Sequence, residues 1–167
     1  GPARRLGPRL YGGRCEGTAT FSDEGGWAEG SHDLWKPRFG ATHRRRLFLD
    51  AAGEDLRGED VLTRERPRGV LEPVVRFLVH PDVKVTLAQG GDSAILAPPG
   101  GPTWRFRAVA GGQDERLALE EAVYMGGEAV RRTQAIAIRA VMTEQSWTLR
   151  WALKTESPAH RPRRRLV

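Results

Sequence analysis

The sequence predicts an all-β fold, an antiparallel β-sandwich of about ten short strands, on three observations. Apolar and polar residues alternate with period two along several segments, clusters of Gly, Pro and Asp separate those segments, and no helical period of comparable length competes. The clearest alternations are Trp104-Phe106-Ala108 against Arg105-Arg107, and Trp147-Leu149-Trp151-Leu153 against Thr148-Arg150-Ala152-Lys154. Successive strand side chains point to opposite faces, so each segment has one apolar and one polar face. Leu117-Leu119-Glu121-Val123 and Ile136-Ile138-Ala140 repeat the pattern less cleanly. Val74 to His80 is apolar apart from Arg76 and reads as a strand covered on both faces. The predicted core is Trp104, Phe106, Trp147, Leu149, Trp151, Ile136, Ile138, Phe77 and Val79.

The punctuation agrees. Ala51-Ala52-Gly53-Glu54-Asp55, Gln89-Gly90-Gly91-Asp92, Pro98-Pro99-Gly100-Gly101-Pro102, Gly111-Gly112-Gln113-Asp114 and Gly126-Gly127 each stand between two strand candidates. Gly supplies positive φ and Pro removes a donor, so such clusters turn the chain and stop pairing. Parallel order needs long crossover segments, which are missing. Residues 1–15 read as an irregular lead-in, 16–154 as the sandwich, and 155–167, with the run Arg163-Arg164-Arg165, as a mobile basic tail. Thr63 to Pro73, rich in Arg, Pro and Glu, reads as an exposed loop.

A chain of 167 residues is one domain with a real core. Hydrophobic residues at 39% and charged residues at 29% exclude wholesale disorder. No run approaches the roughly 18 apolar residues of a membrane span, so no membrane partner is expected, and the N-terminus has no signal-peptide stretch. A mature domain and a piece of a longer precursor both fit. The net charge of +6 rests on arginine: lysine appears only at Lys36, Lys84 and Lys154 among 27 basic residues. With many Ala, Gly and Pro, this points to a GC-rich coding bias, which raises charge without selecting a ligand. A basic surface attracts nucleic acid and acidic polysaccharide alike. Cys15 stands alone, which excludes an intrachain disulfide and a cysteine-based metal site.

The stretch richest in chemistry is Glu29-Gly-Ser-His32-Asp33-Leu-Trp35-Lys-Pro-Arg38-Phe-Gly, followed by Thr42-His43-Arg44-Arg45-Arg46. Read as strand, loop, strand, it gathers these groups at one edge of a sheet. Arginine forks bind carboxylates and sulfates bidentately, and a tryptophan face stacks on a sugar ring. His32, Trp35, Arg38, His43, Arg44 and Arg46 are therefore the candidate contacts for an acidic polysaccharide; the bland alternative is a solvated, charged edge strand. Alternation puts Arg44 and Arg46 on one face and His43 and Arg45 on the other, so at most half the basic run meets one ligand. No metal is expected: His32 and Asp33 are adjacent in a strand and point apart, whereas zinc needs three or four converging ligands. Nor is any cofactor expected, since no P-loop, dinucleotide fingerprint or nucleophile elbow occurs.

No catalytic residue is assigned. Tyr124 is of the type that serves as base and acid in sugar β-elimination, but nothing near it in sequence neutralises a uronate carboxylate. His80 reads as a strand-end residue, and His160 lies in the tail.

The order Gly26-Trp27-Ala-Glu-Gly-Ser-His32-Asp33, Arg38-Phe39-Gly40, His43-Arg44-Arg45 and Asp55-Leu-Arg57-Gly-Glu59-Asp60 resembles the C-terminal domain of the bacterial heparinase II/III-like family. Phe77-Leu-Val-His80-Pro81, Trp104-Arg-Phe-Arg107, Glu120-Glu121-Ala-Val-Tyr124-Met-Gly126-Gly127, Arg132-Thr133 and Trp151-Ala-Leu-Lys154 continue the order, up to Lys154. The resemblance implies a β-sandwich that packs beside an upstream α/α toroid in an enzyme cleaving uronate-containing polysaccharides by β-elimination. It implies a periplasmic or cell-envelope protein, with catalytic and metal-binding residues upstream of Gly1. After His32-Asp33 the family pattern has Gly-Tyr, whereas this chain has Leu34-Trp35. The expected role is a support and substrate-groove module that is inactive alone. The alternative is a freestanding carbohydrate-binding module, which binds acidic oligosaccharides unaided; nucleic acid ranks behind both.

Overall fold

The computed structural model describes residues 4–6, 9–11, 13–111 and 113–156. Most of the expected basic tail, His160 included, lies outside them. β1 (Arg4–Leu6) and β2 (Arg9–Tyr11) pair in a separate two-stranded sheet inside the expected irregular lead-in. β3 (Cys15–Ser22) and β4 (Gly25–His32) form a hairpin, followed by the single helical turn α1 (Lys36–Phe39). Pro37 suits the start of that turn, and Gly40 closes it at φ 62°, a left-handed geometry that glycine adopts without strain.

β5 (Ala41–Asp50), β6 (Asp55–Arg64), β7 (Val74–Leu78), β8 (Lys84–Leu87), β9 (Ser93–Ala97), β10 (Trp104–Ala110), β11 (Gln113–Asp114), β12 (Ala118–Tyr124), β13 (Arg131–Arg139) and β14 (Ser146–Thr155) complete the chain. The large sheet runs β3-β4-β5-β6-β14-β10-β9-β8, with β11 added beside β10; the small sheet runs β12-β13-β7. All pairings are antiparallel, as the short connections require. The strands are more numerous than about ten, but the architecture is the predicted sandwich.

The core lies between the two sheets. Phe106, Leu149, Trp151, Ile136, Ile138 and Val79 are buried in it, with Phe77 and Trp147 partly buried against them. Trp104, predicted in the core, is only half-buried and sits outside the cluster, because it begins β10 at the sheet's end.

Three local expectations change. β5 is not an edge strand: β4 and β6 pair with it on either side, and β3 takes the edge. β7 is not covered on both faces, since it is the edge of the small sheet and Leu78 is 53% exposed. Its Arg76 lies on the outer face and binds Glu120. Finally, Arg64 opens the segment expected to be an exposed loop, yet it is 1% exposed. Its guanidinium donates to the carbonyls of Arg68, Gly69, Thr143 and Glu144, so burial strands little of its donor capacity and two loops are tied together.

Candidate functional site

Strand register decides which predicted residues meet. His32 of β4 lies directly opposite His43 of β5, and Gly30, Arg45 and Asp60 occupy one cross-strand row over β4, β5 and β6. Directly paired residues share a face, so His32, His43, Arg45 and Asp60 all point toward the small sheet. On the same face Trp151 of β14 is opposite Gly58. A Cβ at Gly58 would stand 2.1 Å from the Trp151 ring, so the glycine is what lets the indole lie across β6.

The result is a saturated carboxylate. Asp60, 1% exposed, accepts His43 Nε2–H at 2.7 Å and Arg45 Nε–H at 2.7 Å on Oδ1. Its Oδ2 accepts Arg45 Nη2–H at 3.0 Å and the Trp151 indole N–H at 2.9 Å. Burial on its own pushes this carboxyl up, but the hydrogen bonds from His43 and Arg45, the Arg45 charge and the Trp151 N–H outweigh it. The carboxyl is held below the usual range and stays ionised. Arg45 also lies over the Phe77 and Trp151 rings, at 5.4 and 5.8 Å from their centroids, so its charge is packed as well as paired.

The chain of contacts continues outward. Since Asp60 only accepts, His43 donates from Nε2, and its Nδ1 lies within hydrogen-bond reach of His32 Nε2, 3.2 Å away. His32 Nδ1 is left buried without a partner among the described residues. Burial, then the neighbouring His43, pushes the His32 pKa down. Trp35 packs edge-on to His32 and tilted over His43, at 5.0 and 5.7 Å between centroids. The two imidazoles and Asp60 are thus linked in series, through His32 Nε2 and both nitrogens of His43. Among the described residues no three His, Cys, Asp or Glu side chains converge on one point.

Beside this relay opens a cavity of about 340 Å³, bounded by Trp35 and Phe39, by His43, Arg45 and Asp60, and by the segment from Leu71 to Arg76. It lies where the small sheet stops short of the large one. β3 is exposed along its whole length, so the β3–β4 end of the large sheet lacks a covering layer within the described residues.

The predicted contacts divide accordingly. His32, Trp35 and His43 come together, and Trp35 and His43 line this cavity. Arg38 stands on α1 over the Phe39 ring at 5.2 Å, next to it. Arg44 and Arg46 are on the opposite face, where Arg46 binds Glu29 and Arg44 lies near Glu29 and Glu59. Asp60, Arg45 and Trp151 were missed as functional partners. A charged residue at the centre of the inward set Leu56, Gly58, Asp60 and Leu62 is the signal that exposes Asp60. The structure also brings His80 to Tyr124, at 4.8 Å between rings, with Asp82 held by Arg131 beside them. That arginine, the cross-strand partner of Tyr124, is spent on a carboxylate and is not available to a uronate.

Comparison with known proteins follows the same lines. Residues 1–152 match the family described as heparinase II/III-like, C-terminal. FtsZ-localized protein C of Caulobacter vibrioides (strain NA1000 / CB15N) is 35% identical over 161 residues, covering 90% of this chain and 27% of that protein. The heparan sulfate lyase HepC of Pedobacter heparinus shares the fold at TM-score 0.68 and 9% identity, over 87% of this chain and 22% of its own. A heparinase III structure superposes at TM-score 0.65 and 10% identity, over 83% and 21%. The chain therefore spans about a quarter or less of the relatives it matches. Sandwich fold and family match agree, and this chain belongs to the heparinase II/III-like family as its C-terminal domain.

Proposed function

We propose that this domain is the support and substrate-groove module of a longer polysaccharide lyase that cleaves uronate-containing acidic polysaccharides by β-elimination. The uncovered end of the sandwich carries this reading. There Trp35 offers a ring face and His43 an imidazole to an open cavity, with His32 packed against both rings and Arg38 on the adjoining turn beside Phe39. In this reading an upstream helical domain packs against that end, and the Trp35–Arg38 turn forms one wall of the groove between them. Asp60 and Arg45 hold the wall rigid from beneath and do not touch substrate. The parent works in the periplasm or cell envelope, where such polysaccharides are met.

The test is turnover by the full-length parent on heparin, heparan sulfate and alginate, followed by the absorbance of the unsaturated product. Trp35→Ala and Arg38→Ala should raise KM with little change in kcat. Wild-type parent that cleaves none of the three, or variants indistinguishable from it, would sink the reading.

The 35% identity over 90% of the chain to a protein named for localisation with FtsZ favours a second reading. In it the parent acts at the site of division, and this domain helps to place it there. A fluorescent fusion of the parent imaged with labelled FtsZ separates the two: coincidence supports division-site placement, and uniform envelope signal removes it.

A further inference from the structure

The outer face of the large sheet, opposite the cavity, carries a feature that the groove reading does not use. Two cross-strand rows run over β4, β5, β6, β14 and β10. The first is Trp27, Phe48, Arg57, Ala152 and Arg107; the second is Glu29, Arg46, Glu59, Arg150 and Val109. Neighbouring strands lie about 4.8 Å apart, so each row spans about 19 Å. At one end Trp27, 53% exposed, packs on Phe48 with ring centroids 4.7 Å apart. In the middle Ala152 leaves the floor low, and the rows border a shallow concavity of about 530 Å³. Arg107, at the far end, is exposed.

We infer that this face is a second binding surface, for a segment of acidic glycan, separate from the cavity and independent of any upstream domain. It shares the ligand class of the groove reading and rests on it for that class, but shares none of its residues. Trp27 stacks on a sugar ring, and Arg107 receives a carboxylate or sulfate through its fork. The arginines between them are interleaved with acids: Arg150 binds Glu59 at 3.0 Å, Arg57 binds Asp55, and Arg46 binds Glu29. That interleaving selects between polyanions. Sugar hydroxyls donate to Glu29 and Glu59, and Arg107 takes the acidic group. A single-stranded DNA backbone presents a phosphate at every step but almost no hydroxyl donors for Glu29 and Glu59, so their repulsion of it is not offset. The surface gives the domain the unaided glycan affinity expected of a freestanding module.

The experiment titrates the 167-residue chain with alginate and heparin oligosaccharides, a neutral oligosaccharide of equal length and single-stranded DNA, at matched salt, by calorimetry and tryptophan fluorescence. The acidic oligosaccharides should bind and weaken with salt, the neutral one should not bind, and DNA should bind more weakly. Trp27→Ala and Arg107→Ala, both at exposed positions, should each weaken glycan binding about tenfold, and Arg107→Lys should recover only part of it. Absence of glycan binding would overturn the inference. So would binding that survives both substitutions and disappears in Trp35→Ala, or DNA binding of equal strength lost in the same variants. The groove reading fails separately, on turnover by the parent.

Discussion

The indole N–H of Trp151 reaches Asp60 Oδ2 at 2.9 Å because Gly58, the direct cross-strand partner of Trp151, has no Cβ. One glycine thus joins the aromatic core to the buried carboxylate and, through His43, to the cavity wall.

Gly58→Ala should therefore act beyond its own position. The new methyl displaces the Trp151 ring and breaks its bond to Asp60, at a cost of about 1–3 kcal/mol in urea denaturation. Trp151 fluorescence and near-ultraviolet circular dichroism should change with it. Unchanged spectra and stability would refute the role given to Gly58.

Asp60→Ala should be severe. It leaves the Arg45 guanidinium, His43 and the Trp151 N–H without their acceptor, and removing one member of a buried ion pair costs about 3–5 kcal/mol. Asp60→Asn keeps an acceptor for some of these donors and should cost less. Equal losses in the two variants would show that packing, not charge pairing, is what matters.

Two separate acid limbs follow from the pKa directions. His32 titrates lower in the folded state than in the unfolded chain, through burial and then through His43. The unfolded chain therefore takes the proton more readily. Stability from this group is complete above about pH 6.5 and falls as pH drops from there toward the depressed folded value. His32→Gln should flatten that limb. Asp60 also titrates low in the folded state, so its contribution holds above about pH 4 and is lost as pH falls through its depressed folded value. Denaturant midpoints measured against pH resolve both, and a limb near pH 6 that persists in His32→Gln would refute the assignment.

Arg64→Met should loosen two loops at once. Four carbonyls lose their donor, and amide exchange should speed up around Arg68–Gly69 and Thr143–Glu144 together. Faster exchange in one loop alone would contradict the coupling.

The isolated chain should show no eliminase activity. Arg131, the cross-strand partner of Tyr124, is engaged by Asp82 and is not available to neutralise the uronate carboxylate. Steady product absorbance that vanishes in Tyr124→Phe would reveal an active site here.

Period-two alternation along 104–108 and 147–153 was sufficient to predict the sandwich and most of its core, because side-chain direction in a strand follows from covalent geometry. The same parity separates Arg44 and Arg46 from His43 and Arg45 in the sequence alone. Alternation carries no information about which strands become neighbours. β5 reads as an edge strand until β3 and β4 are seen to pair beyond it, and Val74–Leu78 reads as buried until it is seen at the rim of the small sheet. Asp60 is the sharpest case. Its partners come from β5 and from β14, some ninety residues away, and a carboxylate is tolerated in the core only once all of them are in place. Local pattern specifies faces, whereas long-range register brings distant residues together, and the cavity and the Asp60 network depend on that register.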